Sequence, residues 1–232
     1  MIKIALVYTG TTPQLTELVE SEIKKTIEAE IEFLNYKDPT IINEVRESGY
    51  VNSQAAARLI QLFMRSVQDG ADVILNICSS VGEVADSAQN IASYLGVPIV
   101  RIDEEMCRAA VTQYDQIGVI ATLETTLTPT KNTLLRVGRE AKRYPRLVDG
   151  LVEGAFDLDE KEFKQAILKK VKSLKKEVKA VVFCQGSMAY CDSIIQEESG
   201  VKVFSSPKYG ARALKRTLES IGKLEVNNAD EH

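Results

Sequence analysis

Strand-sized apolar runs alternate with amphipathic stretches along almost the whole chain. The runs are Ile2–Tyr8, Ile31–Asn35, Asp72–Ile77, Pro98–Arg101, Gln116–Ala121, Arg146–Leu151, Lys179–Cys184 and Val201–Phe204. They are rich in Val and Ile, which suits strands buried on both faces. Between them apolar residues recur at helical spacing. Leu15, Leu18, Val19, Ile23 and Ile27 make one stripe over Gln14–Glu28, and Ala57, Ile60, Phe63, Met64 and Val67 make another over Gln54–Gln68. Glu83–Leu95, Thr130–Lys142, Glu160–Leu174 and Tyr209–Ile221 read the same way, and Glu104–Ala110 is a further helical segment. Such alternation predicts an α/β protein built on mostly parallel sheets flanked by helices. Tyr36–Asn52, with Asp38-Pro39, Gly49 and several polar residues, is the least regular stretch and is expected to be a functional loop overhanging a cleft.

The order of elements repeats. Strand, helix, strand, helix and a strand ending in cysteine run from Ile2 to Leu95, and a comparable series runs from Gln116 to Ile195. The expected architecture is two flavodoxin-like lobes facing each other, with both cysteine-bearing strand ends at the cleft between them. The first lobe is expected to hold residues 1–97 plus 206–232, because the helix after Pro207 packs back on it, and the second to hold residues 98–205.

Composition narrows the chemistry. The single histidine among 232 residues is His232, so histidine bases and triads drawn from one chain are nearly excluded. Four cysteines with no CxxC pair argue against a structural zinc site and for a reducing compartment. No apolar run approaches membrane-spanning length and Met1 leads straight into a core-type strand, so a cytoplasmic location and no membrane partner are expected. The formal net charge is −4, and the lysines of Lys161–Lys179 alternate with glutamates as on a solvated helix face, which argues against nucleic acid as a partner. Neither GxGxxG nor GxxxxGK[ST] occurs, so no nucleotide is implied.

Two cysteines stand apart from the others. Cys78 closes Val73-Ile74-Leu75-Asn76-Ile77 and Cys184 closes Ala180-Val181-Val182-Phe183, each ahead of small polar residues and a helical pattern. Ligands of open α/β sheets bind at the carboxyl ends of strands. A helix start there is expected to lower the thiol pKa, allowing one thiolate and one thiol at neutral pH. Around them Thr9, Thr11, Ser79, Ser80, Thr122, Gly186 and Ser187 supply hydroxyls and N–H groups suited to a small anionic ligand. Cys107 and Cys191 are expected to be buried small hydrophobes. Arg46, Arg58 and Arg101 are available to a distal carboxylate, although surface or ion-pair roles account for each.

The chain resembles the aspartate/glutamate/hydantoin racemase superfamily over essentially its whole length. Cys78-Ser79-Ser80 matches the family's strand-end cysteine followed by small polar residues. Phe183-Cys184-Gln185-Gly186-Ser187-Met188 is similar to the hydantoin branch's Gly-Cys-Ala-Gly-Met, offset by one small residue, and Gly118-Val119-Ile120-Ala121-Thr122 resembles the opening strand of the second lobe with its ligand-contacting threonine. The glutamate enzymes' Asp-Ser and second-lobe histidine are replaced by Tyr8-Thr9 and Gln185-Gly186. The resemblance implies two lobes related by pseudo-twofold symmetry and a racemase or epimerase of an amino acid or hydantoin-like compound, with Cys78 and Cys184 as paired acid and base, and a homo-oligomeric state. With no PLP-lysine, nucleotide or metal motif in the sequence, no cofactor and no metal are expected. Maleate-isomerase-like or decarboxylase chemistry on the same fold, and a non-catalytic binder of small carboxylates, are the alternatives.

Overall fold

The computed structural model describes residues 1–155 and 158–225. Its eight strands form two four-stranded, all-parallel sheets. The first contains β1 (Ile2–Tyr8), β2 (Ile31–Lys37), β3 (Val73–Asn76) and β4 (Ile99–Arg101) in the order β2-β1-β3-β4. The second contains β5 (Gln116–Ala121), β6 (Arg146–Leu151), β7 (Ala180–Phe183) and β8 (Lys202–Phe204) in the corresponding order β6-β5-β7-β8. All eight are the runs expected from the sequence. In register Leu6 lies beside Leu75, and Val119 beside Val182, at equivalent places in the two sheets.

Nine helices among the described residues cover the sheets: α1 (Pro13–Thr26), α2 (Pro39–Ser48), α3 (Ser53–Gln68), α4 (Gly82–Leu95), α5 (Glu104–Gln113), α6 (Glu124–Glu140), α7 (Glu160–Leu174), α8 (Asp192–Ser199) and α9 (Ser206–Ser220). Strand side chains alternate between the two faces. In the first sheet Ile4, Leu6 and Leu75 pack against Val19 and Ile23 of α1 and Leu214 and Leu218 of α9. On the other face Ala5, Val7 and Ile74 meet Leu59 and Phe63 of α3 and Ala85 and Ala92 of α4. The second sheet repeats the arrangement, with Val119, Ala121 and Val182 against α5 and α6, and Ile120, Val181 and Phe183 against α7 and α8.

β4 is hydrogen-bonded to β3, so residues 99–101 belong with the first sheet and a boundary after residue 97 falls one strand early. The α9 segment shares the first lobe's core, whereas residues 226–232, also assigned to that lobe from sequence, lie outside the described residues. The irregular stretch Tyr36–Asn52 is mostly helix. Asp38 caps α2 by accepting the Thr40 N–H, Pro39 occupies the first turn, and Gly49 ends the helix at φ 78°, where a side chain would be strained. Ile41 and Val45, one turn apart, are its buried face. Helix α6 likewise starts earlier than its expected Thr130, at Glu124, and runs through Pro129. The missing N–H of Pro129 costs a hydrogen bond close to the helix start, and the chain continues past it.

The lobes meet through a buried polar knot. Arg101, at the end of β4, forms a bidentate pair with Asp103 (Nε–Oδ1 3.0 Å, Nη2–Oδ2 2.9 Å). It also donates to Asp86 of α4 at 2.6 Å and to Thr133 of α6 at 2.7 Å. One guanidinium therefore touches both lobes. Gly82 lies against it, and a methyl group there would overlap the guanidinium.

Candidate active site

In each sheet the chain leaves its first strand for one neighbour and returns to the other side for the next. This switch point lies between β1 and β3, and between β5 and β7, and is where such sheets bind ligands. Cys78 follows β3 and Cys184 follows β7. Both line one cavity of about 310 Å³ between the lobes. Thr9, Thr11, Ser79, Ser80, Gly186 and Ser187 line it too. Of the residues expected there, only Thr122 does not.

Thr122 is buried and holds a neighbour instead. Its N–H donates to Gln185 Oε1 at 2.9 Å, and Gln185 Nε2 donates to Thr122 Oγ1 at 2.8 Å. Gln185 lines the cavity directly after Cys184, so the threonine sets its orientation. Gln185 was legible as the residue in the place of the glutamate enzymes' histidine. Its fixing by Thr122 was not, because the two meet only when β5 and β7 pair.

The thiols sit in different surroundings. Cys78 is half-buried and extended (φ −157°), at the start of the 3₁₀ turn Ser79–Val81 that runs into α4. Burial pushes its pKa up, while the Thr9 hydroxyl and the Ser80 and Val81 N–H groups oppose the rise. Cys184 is 1% exposed. Burial pushes it up to about 12, with the Thr130 hydroxyl opposing and the Asp103 and Asp149 carboxylates adding to the rise. The expected helix-start lowering is therefore outweighed at both thiols: desolvation disfavours the thiolate more than the local donors favour it. Cys107 and Cys191 are buried as expected, and Cys191 Sγ donates to the Met188 carbonyl at 3.1 Å.

Helix α2 adds a wall that the loop reading missed. Ile42, Asn43 and Arg46 line the cavity, the last two one turn apart. Their signal was the Asp38-Pro39 start ahead of Ile41 and Val45. Arg46 is the one arginine of the three considered that reaches the cavity. Arg58 pairs with Glu44 and Asp38, and Arg101 is held in the interlobe knot. The buried Ser80 hydroxyl has no hydrogen-bond partner within the protein, so it can serve a ligand. Among the described residues lining the cavity there is no Asp or Glu. Among the described residues no group of three or more His, Cys, Asp and Glu is placed to hold a metal ion, and no helix is long and apolar enough to cross a membrane.

The family model for Asp/Glu/Hydantoin racemases matches residues 4–214. The chain belongs to this family. Its reaction class is accordingly that of an isomerase of the racemase type. In fold the chain is similar to an allantoin racemase from Klebsiella pneumoniae (TM-score 0.68, 17% identity, covering 99% of this chain and 92% of that one). It is also similar to a glutamate racemase from Bacillus anthracis (TM-score 0.70, 19% identity, 97% and 85%) and to an aspartate racemase from Picrophilus torridus (TM-score 0.65, 14% identity, 97% and 96%). No curated protein matches the sequence.

Proposed function

We propose that this racemase-family protein inverts the carbon α to a carbonyl in a hydantoin-like compound, with Cys78 and Cys184 as the two bases. The observation that carries the reading is that one strand-end cysteine from each lobe lines the same cavity. One sulfur, as thiolate, takes the α-proton and becomes a thiol. The electron pair of the broken C–H bond moves onto the carbonyl oxygen. The opposite thiol then returns a proton to the other face and is left as thiolate. The reverse reaction, or exchange with water, restores the starting state. Hydroxyl and N–H donors from Thr9, Thr11, Ser79, Ser80, Gly186 and Ser187 supply hydrogen bonds to the oxygen as its charge develops, assisted by the Gln185 amide. The donors at Cys78 make it the easier thiolate and Cys184 the resting acid. No step requires a cofactor.

The cavity's charge favours a hydantoin over a free amino acid. An α-ammonium entering it would lose water and find no carboxylate among the lining residues, a costly exchange for a charge. A hydantoin carries its nitrogens uncharged beside carbonyls. The test is to incubate enantiopure 5-substituted hydantoins and acidic amino acids in D₂O, following α-proton loss by NMR and optical rotation with wild type, Cys78→Ala and Cys184→Ala. Exchange with racemisation of hydantoins in wild type, and loss of racemisation in both variants, is expected. Full racemisation by either variant would falsify the two-base reading. Amino-acid turnover without hydantoin turnover would overturn the substrate class.

A further inference from the structure

A second cavity of about 560 Å³ adjoins the first. It lies between the end of α2 with its Gly49–Val51 turn and the first turns of α6. Arg46, Ser80 and Leu123 line both cavities, so the two share a wall. Two hydroxyls in its wall have buried oxygens with no hydrogen-bond partner in the protein: Ser80 Oγ, on a residue 3% exposed, and Thr125 Oγ1. Burying an unsatisfied hydroxyl is unfavourable, and a ligand group relieves it. Glu83 comes from the first lobe and Glu124 from the second, and Glu83 accepts from Asn132 Nδ2 across the lobes at 2.9 Å. The cation among the lining residues is Arg46, at the junction with the catalytic cavity.

We propose that this annex receives the substituent borne by the reacting carbon, and that it selects a chain ending in a neutral carboxamide over the isosteric carboxylate. The inference rests on the hydantoin reading above. A carboxamide offers N–H groups to Glu83 and Glu124 and a carbonyl to the Ser80 and Thr125 hydroxyls, so donors and acceptors pair on both sides. A carboxylate of the same shape presents lone pairs to two carboxylates, and like charge disfavours it. A methyl substituent ends before the annex and leaves the Thr125 hydroxyl without a partner.

Three hydantoins test this, carrying the side chains of alanine, glutamine and glutamate. Equilibrium binding and α-proton exchange are measured with wild type, Thr125→Val and Glu83→Gln, and the readout is the ratio between compounds within each protein. In wild type the glutamine-type compound is expected to bind at least about tenfold tighter than either of the others, the effect of roughly one well-placed hydrogen bond to a charged group. Thr125→Val is expected to shrink the glutamine-to-alanine ratio. Glu83→Gln, which keeps the bond to Asn132, is expected to shrink the glutamine-to-glutamate ratio. Equal affinities, a preference for the glutamate type, or ratios unmoved by both substitutions overturn the annex. Binding without exchange overturns the racemase chemistry while the ratios still decide the annex, and exchange with flat ratios overturns the annex alone. No binding of any of the three overturns both.

Discussion

Both thiols carry a raised pKa, and this sets the expected pH dependence. In the proposed mechanism the base is a thiolate, and in the free protein the thiolate fraction increases with pH. Burial raises both thiols: at Cys78 the Thr9 hydroxyl and two N–H groups oppose the rise, whereas Cys184 is held up to about 12. kcat/KM is therefore expected to climb from neutral pH and to keep rising past about pH 8.5, the ordinary thiol range. A pH–rate profile checks this, and a plateau reached by pH 7 would mean that the thiolate is already formed in the free protein. A second expectation at this scale concerns Gln185. Thr122→Val removes the hydroxyl that fixes the Gln185 amide and leaves the N–H contact in place. Losing one positioned hydrogen bond is worth ~1 kcal/mol, so kcat/KM is expected to fall roughly five- to tenfold with little change in the urea midpoint. Kinetics unchanged in Thr122→Val would show that the glutamine does not act on the substrate.

At the scale of elements, the strands place the cysteines and α2 closes the cavity over them. The central strands were legible because they are buried on both faces, leaving uninterrupted apolar runs such as Ile4–Val7 and Val73–Leu75. The strand-end position of Cys78 and Cys184, and hence most of the cavity, followed from that. Helix α2 was hidden because Pro39, Asn43 and Gly49 are turn-forming types, and because its apolar face is only two residues, Ile41 and Val45, deep in the core. The Asp38-Pro39 start was the available signal, since proline in the first turn is a helix opener as well as a turn residue. Thr122 was legible at its strand end, but its bond to Gln185 was not: a strand register decides which side chain a threonine meets, and local sequence does not contain it. The annex was illegible for the same reason, since its walls come from α2, α4 and α6 and meet only in the folded chain. Asp38→Ala removes the cap of α2 and the weaker contact of Asp38 with Arg58 at 3.7 Å. Stability is expected to fall by about 1 kcal/mol. Because Ile42, Asn43 and Arg46 ride on this helix, KM is expected to rise more than kcat falls, as steady-state kinetics beside urea unfolding would reveal.

For the whole molecule, the proposed reaction places two bases on opposite faces of one carbon, which requires the lobes to keep a fixed relation. The Arg101–Asp103 pair is placed to maintain it: both side chains are almost fully buried, and the guanidinium reaches Asp86 of one lobe and Thr133 of the other. The same carboxylate is near enough to Cys78 and Cys184 to raise both thiols. Arg101→Met leaves Asp103 buried without its partner, and breaking such a pair is expected to cost about 3–5 kcal/mol in urea unfolding. Removing both charges in Arg101→Met/Asp103→Leu is expected to return most of that stability, since a buried pair can often be replaced by apolar side chains without loss. Activity is expected to behave differently. The double variant has no bidentate link across the knot, so a sulfur misplaced by even a fraction of an ångström loses its line to the α-carbon. Stability regained with racemisation still depressed would show that the pair aligns the lobes for catalysis, and that the fold can be held together without it. Stability and racemisation recovering together would show that packing alone fixes the two sulfurs, leaving Arg101 a structural contact whose charge the reaction does not need.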